Sequence, residues 1–146
     1  MNSSSTDQPP LTRREVLATL AAALALFSGL THLGVAYSHF SDSFATGALF
    51  VVAGLGQLAG AAFGFHRRPR WWLLAQLAFN TGLVVVYAVS RFYPVLHGAP
   101  EPVEWIGLLT KMAEMILIGC LVTLLAQPGA RASQTTPELT PKAEKP

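Results

Sequence analysis

Polar side chains that interrupt long apolar stretches carry most of the chemistry this sequence could perform. Gln57, Asn80 and Glu114 each stand in a different apolar stretch. If the stretches are helices, a rise of ~1.5 Å per residue places the three at a similar depth, and we expect them to converge inside the bundle. A polar group costs free energy in an apolar environment unless it is hydrogen bonded, so each one needs a reason to be there. For the two amides, ligand binding and hydrogen bonding between helices are both open interpretations. For Glu114 we favour a functional site, because holding helices together does not require an acid.

A second set of polar side chains lies at a different depth in the same stretches. Lys111 and Glu114 are three residues apart, so they can pair on one face of a helix. We expect Arg91 to form an ion pair with Glu104, or alternatively with Glu101. This pair would close a cavity, which we expect to be lined by His32, Tyr87 and Lys111.

The histidines raise the question of a metal or haem site. His32 and His39 are seven residues apart and share a helix face if the helix extends that far. His97, with Glu101 or Glu104, could join them in a metal cluster. No recognised ligand spacing supports this cluster, and His32 lacks the second histidine at its depth that a bis-histidine haem needs. The sequence therefore requires no cofactor, and a metal site at His32 and His39 remains an alternative.

Four apolar runs must position these side chains. Each is long enough for the ~20 residues that cross a hydrocarbon core. Backbone groups cannot stay unpaired in lipid, so each run is predicted to be a helix. The connections are short, which favours antiparallel neighbours. The sequence thus predicts an all-α fold, a four-helix transmembrane bundle with up-down-up-down topology. Its predicted spans are residues 16–37, 44–65, 71–90 and 103–126.

The composition agrees with a membrane protein. The chain has 146 residues, of which 51% are apolar and 12% charged, whereas soluble domains carry about 25% charged residues. The net charge of +2 comes from basic residues near the ends of the apolar runs, so we expect no nucleic-acid partner. The single cysteine excludes a disulfide within the chain. The expected partner is the lipid bilayer, with another membrane protein or a second copy of the chain as further candidates.

Lysine and arginine determine the predicted orientation. The segments outside the four runs carry, in chain order, 2, 0, 3, 1 and 3 of these residues, so both termini are predicted to be cytoplasmic. The segment Thr12-Arg13-Arg14 resembles a twin-arginine export signal. The apolar run that follows has 22 residues, more than the ~7–15 of a signal core, so we favour an anchor on an uncleaved first helix.

The two ends of the chain and one glycine pattern complete the predicted organisation. Residues 1–10 and 127–146 are rich in Ser, Thr, Pro, Glu and Lys, and are predicted to be disordered cytoplasmic tails around a transmembrane domain at 11–126. Gly56, Gly60 and Gly64 recur at every fourth position of the second run. Small residues at this spacing allow close helix packing, here expected within the bundle, with homodimerisation as the alternative.

Short segments of the chain resemble known membrane proteins. Residues 31–40 read T-H-L-G-V-A-Y-S-H-F and residues 101–104 read E-P-V-E. Together with Gln57, Asn80 and Arg91, they resemble small bacterial four-span integral membrane proteins of unassigned function. The resemblance covers residues 11–126 and implies the four-span bundle without implying an activity. The high Ala, Leu, Gly and Arg content with little Lys also favours a bacterial source.

These features together predict a multi-pass protein of the bacterial inner membrane. Its polar core is expected to bind a small ligand, a lipid headgroup or an ion, or to dock a membrane complex. The absence of a catalytic motif favours a non-enzymatic role. The alternative is a membrane-embedded redox or metal-binding enzyme that uses His32 and His39. The residues predicted to line the polar core are His32, Gln57, Asn80, Tyr87, Arg91, Glu104, Lys111 and Glu114.

Overall fold

The computed structural model describes residues 10–66, 69–93 and 103–127. These residues are all-α, as the sequence predicts, and all four helices are long and apolar enough to cross a membrane. The predicted tails lie outside the described residues, apart from Pro10 and Gln127. The helices are α1 (Arg13–Asp42), α2 (Phe44–Phe63), α3 (Arg70–Ser90) and α4 (Trp105–Ala126).

Helix α1 is longer than its apolar run predicts. It begins before and ends beyond the predicted residues 16–37. At its start, the Thr12 hydroxyl oxygen accepts a hydrogen bond from the Glu15 backbone N–H at 3.3 Å. The Glu15 carboxylate in turn accepts from the Thr12 backbone N–H at 2.8 Å. This reciprocal capping box starts the helix in polar sequence, so the Thr12-Arg13-Arg14 segment forms a helix N-terminus here.

Helix α2 ends earlier than predicted because of Gly64. The helix stops at Phe63, and Gly64 has a φ angle of 67°, which lies in the left-handed region that glycine adopts without strain. A side chain at Gly64 would meet nothing within 4 Å. Gly64 therefore terminates the helix and does not extend the predicted packing stripe. The other two members of that stripe, Gly56 and Gly60, do lie against side chains of α3.

The closest helix crossing joins α1 to α2 at two glycines. A Cβ atom on Gly54 would lie 2.9 Å from the Gly29 carbonyl oxygen and 2.6 Å from Leu33 Cγ. Such a short separation leaves no room for a side chain, so glycine allows the two backbones to approach here. Helix α1 also packs against α4, and α4 against α3, whereas α2 and α3 contact each other much less.

An apolar core fills one part of the bundle, and apolar side chains also cover its outside. The core packs small residues of α1 against leucines of α4. Its buried members are Ala18, Ala21, Ala25, Phe65, Leu73, Leu117, Cys120, Leu121 and Leu124. On the outside, Leu55, Val85 and Met115 are among the large apolar side chains that are more than half exposed. An outer surface of this kind is unfavourable in water and suits contact with lipid.

Arginine side chains bind the carbonyl groups at the end of α4. Arg14 Nη1 donates to the Leu124 carbonyl oxygen at 3.4 Å, and Arg70 Nη2 donates to the Leu125 carbonyl oxygen at 3.2 Å. The last carbonyls of a helix have no partner within the helix, and positive charge there is favourable. These bonds join the start of α1 and the start of α3 to the end of α4.

Replacing Gly54 with alanine is expected to destabilise the protein. The added methyl group would overlap the Gly29 carbonyl and the Leu33 side chain, and overpacking of this kind costs about 1–3 kcal/mol. The matched control is Gly82→Ala, because Gly82 is exposed on α3 and a Cβ there meets nothing within 4 Å. Thermal unfolding in detergent should show a lower Tm for Gly54→Ala only. An unchanged Tm for Gly54→Ala would contradict the close α1–α2 crossing.

Candidate functional site

Five polar side chains from all four helices meet inside the bundle, and we call them the polar cluster. All five are buried, and Gln57, Asn80 and Glu114 have no exposed surface. The prediction that these three residues converge within the bundle is confirmed by their hydrogen bonds. The cluster consists of His32 from α1, Gln57 from α2, Asn80 from α3, and Lys111 and Glu114 from α4.

Glu114 is the centre of the polar cluster. Its Oε1 accepts from Gln57 Nε2 at 2.9 Å and lies 2.8 Å from His32 Nε2. Its Oε2 accepts from Lys111 Nζ at 2.6 Å, which confirms the predicted pair on one helix face. An ionised carboxylate only accepts hydrogen bonds, so this geometry assigns a hydrogen to His32 Nε2. The buried charge is thus compensated by a cation and two further donors.

The two amides extend the network to α3. Gln57 Nε2 donates to Asn80 Oδ1 at 3.0 Å as well as to Glu114. Asn80 Nδ2 donates to the Gln76 carbonyl oxygen at 2.8 Å, which fixes the orientation of the Asn80 amide. Gln57 therefore uses both amide hydrogens, and its buried Oε1 accepts no hydrogen bond within the described part of the chain. This oxygen is available to a donor such as a bound water.

Gln76 of α3 is a further buried polar residue, and it is not among the residues predicted to line the polar core. Its Nε2 donates to the Gly56 carbonyl oxygen at 3.5 Å, and its Oε1 has no hydrogen-bond partner among the described residues. Its position four residues before Asn80 could have identified it, because residues at that spacing share a helix face. Gln76 lies where α3 faces Gly56 and Gly60 of α2.

Tyr87 and Arg91 extend the polar groups along α3 beyond Lys111. Lys111 Nζ lies 5.5 Å from the centroid of the Tyr87 ring, and Arg91 Cζ lies 4.4 Å from it. Both distances allow a cation–π interaction. Arg91 Nε also donates to the Tyr87 carbonyl oxygen at 3.5 Å. The Tyr87 hydroxyl is buried, and no described residue hydrogen bonds to it.

The structure does not show the predicted ion pair between Arg91 and Glu104. This pair is not among the ion pairs of the described residues. Helix α4 begins at Trp105, so Glu104 precedes the helix as its N-cap, and its side chain is exposed. The predicted span of residues 103–126 includes Glu104, whereas the helix begins one residue later. The alternative partner, Glu101, lies outside the described residues.

The two candidate metal-binding histidines pack against one phenylalanine ring. Phe50 of α2 lies edge-on to His32 at a centroid distance of 5.3 Å, and stacks on His39 at 4.1 Å. The described residues contain no group of three or more His, Cys, Asp or Glu side chains that could hold a metal ion. His97 and Glu101, the other residues considered for such a group, lie outside the described residues. Within the described part, His32 belongs to the polar cluster.

Comparison with known proteins gave no match: no protein-family model, no curated protein and no solved structure matches this chain.

Removing one charge of the buried pair should cost more stability than removing both. Lys111→Met leaves the buried Glu114 carboxylate without its cation, and breaking a buried ion pair in this way costs about 3–5 kcal/mol. The double variant Lys111→Met/Glu114→Leu should regain part of that loss, because it also removes the buried negative charge. Unfolding of the single and double variants in detergent gives the coupling free energy. If the double variant loses as much stability as Lys111→Met and Glu114→Leu lose together, the two charges do not interact.

Proposed function

We propose that this chain is a non-enzymatic, multi-pass protein of the bacterial inner membrane whose polar cluster binds an ion or a small polar ligand. The observation that carries the proposal is the complete burial of Glu114 among donors from α1, α2 and α4. An ionisable residue inside a membrane-spanning helix is costly and is typically functional. Neutral amides such as Gln57 and Asn80 suffice to hold helices together, so packing does not require the carboxylate.

The enclosure of the polar cluster favours a small ligand. All five members are buried among the four helices. A lipid headgroup or a docking protein needs an open surface, so these two candidates from the sequence fit less well. An ion or a small solute can interact with the Lys111 ammonium group, the His32 ring and Gln57 Oε1, which accepts no hydrogen bond among the described residues.

The ligand reaches the cluster from the end of the bundle where Tyr87 and Arg91 lie. Towards the opposite end, α4 buries Leu117, Leu121 and Leu124, which offer no polar contact. Towards Arg91, polar groups continue through Tyr87 to the C-terminal end of α3, where Arg91 is partly exposed. A polar route of this kind lowers the cost of bringing a hydrated ligand to the cluster.

The proposal includes an antiparallel bundle. In the α1–α2 pair, Gly29 lies opposite Gly54, and Phe40 lies opposite Gly47. As the residue number rises in α1 it falls in α2, which supports opposite helix directions for this pair. The bonds from the starts of α1 and α3 to the end of α4 support the same arrangement for the other helices.

The orientation we propose puts both termini in the cytoplasm. The end of the bundle that holds Arg14 and Arg70 also holds the end of α4. Positive charge at this end favours the cytoplasmic side. Tyr87 and Arg91 would then lie at the outer end, and the ligand would enter from outside the cell.

Topology mapping tests this orientation. A reporter fused after residue 126 should give a cytoplasmic signal, because the positively charged end contains the end of α4. In a Cys120→Ala background, a cysteine at exposed Ser41 should react with a membrane-impermeant maleimide on intact cells. The matched control is a cysteine at exposed His66, which should react only after the membrane is opened. A periplasmic reporter signal would contradict the proposal.

Ligand-dependent stability tests the binding function. The purified protein in lipid nanodiscs is heated with sodium, potassium, chloride or inorganic phosphate, at constant pH and ionic strength. Binding at one hundred times Kd stabilises a protein by about 2.7 kcal/mol. At least one of these ions should raise the Tm of the unmodified protein but not that of Lys111→Met/Glu114→Leu.

The control for this experiment is Thr123→Val, because the Thr123 hydroxyl bonds only to Gly119 of its own helix among the described contacts. Thr123→Val should keep the full rise in Tm. If no ion raises the Tm, or if the rise persists in the double variant, the proposed binding function is wrong.

A further inference from the structure

Lys111 of the polar cluster and the neighbouring Tyr87 carry donor hydrogens that no described residue accepts. The Lys111 ammonium has three N–H groups, and within the described part of the chain only Glu114 Oε2 accepts from it. The Tyr87 hydroxyl is buried and has no hydrogen-bond partner among the described residues. Buried donors are normally satisfied, so unsatisfied donors that lie close together call for an explanation.

The Lys111 and Tyr87 side chains lie close together at the interface of α3 with α4. Lys111 Nζ is 5.5 Å from the Tyr87 ring centroid. The Tyr87 ring rests against Gly107 of α4, where a Cβ atom would lie 3.2 Å from Tyr87 Cε2 and 3.5 Å from the hydroxyl oxygen. The absence of a side chain at Gly107 therefore eases the close approach of the Tyr87 ring to α4, the helix that carries Lys111.

We propose that Lys111 and Tyr87 bind a small monovalent anion, such as chloride or a small carboxylate, at the outer edge of the polar cluster. The anion accepts hydrogen bonds from Lys111 Nζ and from the Tyr87 hydroxyl. Lys111 is already paired with Glu114, so its spare N–H groups hold the anion by hydrogen bonding and not through an unbalanced charge. Hydrogen bonds to an ionised partner are roughly twice as strong as those between neutral groups.

This inference rests on the proposed function and names its ligand class. A cation accepts no hydrogen bonds, so it would leave the spare N–H groups of Lys111 and the Tyr87 hydroxyl hydrogen without an acceptor. A neutral acceptor would form weaker hydrogen bonds with the same donors than an anion does. A bound water is the alternative occupant, because water also satisfies buried donors.

Tyr87→Phe provides a sharp test, because it removes the hydroxyl and keeps the ring. Without an anion, the Tm should be unchanged or slightly higher, since the hydroxyl bonds to no described residue. With chloride at ten times Kd, the Tm of the unmodified protein should rise by about 3 °C or more relative to sodium gluconate of equal concentration. The chloride affinity of Tyr87→Phe should fall about tenfold, which is the typical loss for one hydrogen bond to a charged group.

Two controls accompany the test. Tyr37→Phe changes a tyrosine of α1 that is 85% exposed, whereas Tyr87 and Lys111 lie on α3 and α4, so its chloride response should match the unmodified protein. Sodium acetate replaces sodium chloride to test whether a small carboxylate fits the same site. Isothermal titration of the protein in nanodiscs with each salt gives the affinity directly.

The anion site and the proposed binding function can fail separately in these experiments. If sodium or potassium raises the Tm through the polar cluster and neither chloride nor acetate does, the anion site is wrong and the binding function stands. If chloride binds Tyr87→Phe as tightly as it binds the unmodified protein, the assignment of Tyr87 is overturned. If no ion binds, water satisfies these donors and both proposals are wrong.

Discussion

The buried carboxylate of Glu114 is the constraint on which the rest of the structure depends. A charged group without exposed surface must find its hydrogen bonds and its counter-charge inside the bundle. Glu114 obtains them from Lys111 on its own helix, from His32 on α1 and from Gln57 on α2. Gln57 also bonds Asn80 on α3. One network therefore touches all four helices, and the rotation of each helix must keep its polar residue turned inward.

The bundle divides into an apolar part and a polar part, and the two are held together differently. In the apolar part, alanines of α1 pack against leucines of α4, and arginines bind the carbonyl groups at the end of α4. Along α3, the polar part continues through Tyr87 to Arg91. Polar groups are costly in hydrocarbon, and their series leading to one end of the bundle is the basis of the path that we propose for an ion or a small polar solute. Of the four helix pairs that pack against each other, α2 and α3 have the least contact, and this pair also contains the spare oxygens of Gln57 and Gln76.

Depth along a helix is predictable from the sequence, and the choice of partner is less so. A constant rise of ~1.5 Å per residue is enough to place Gln57, Asn80 and Glu114 at one level. The pairing predicted for Arg91 and Glu104 is not seen among the described ion pairs, and Glu104 precedes α4 instead of lying within it. The spacing of Thr12 and Glu15 is that of a capping box, yet the apolar run alone predicts a later start for α1. Such a run marks the lipid-spanning part of a helix and does not mark its ends.

By itself, the sequence determined that four long apolar segments form helices and which polar side chains interrupt them. These are local properties, since they follow from the apolar character of each segment and from the need to pair every backbone group in lipid. Only the tertiary structure decided that His32 and Gln57 share one oxygen of Glu114, that Tyr87 lies beside Lys111, and that Gly54 forms the α1–α2 crossing. These contacts depend on how each helix is rotated and where it crosses its neighbours. Rotation and crossing are properties of packed pairs of helices, so no single segment encodes them.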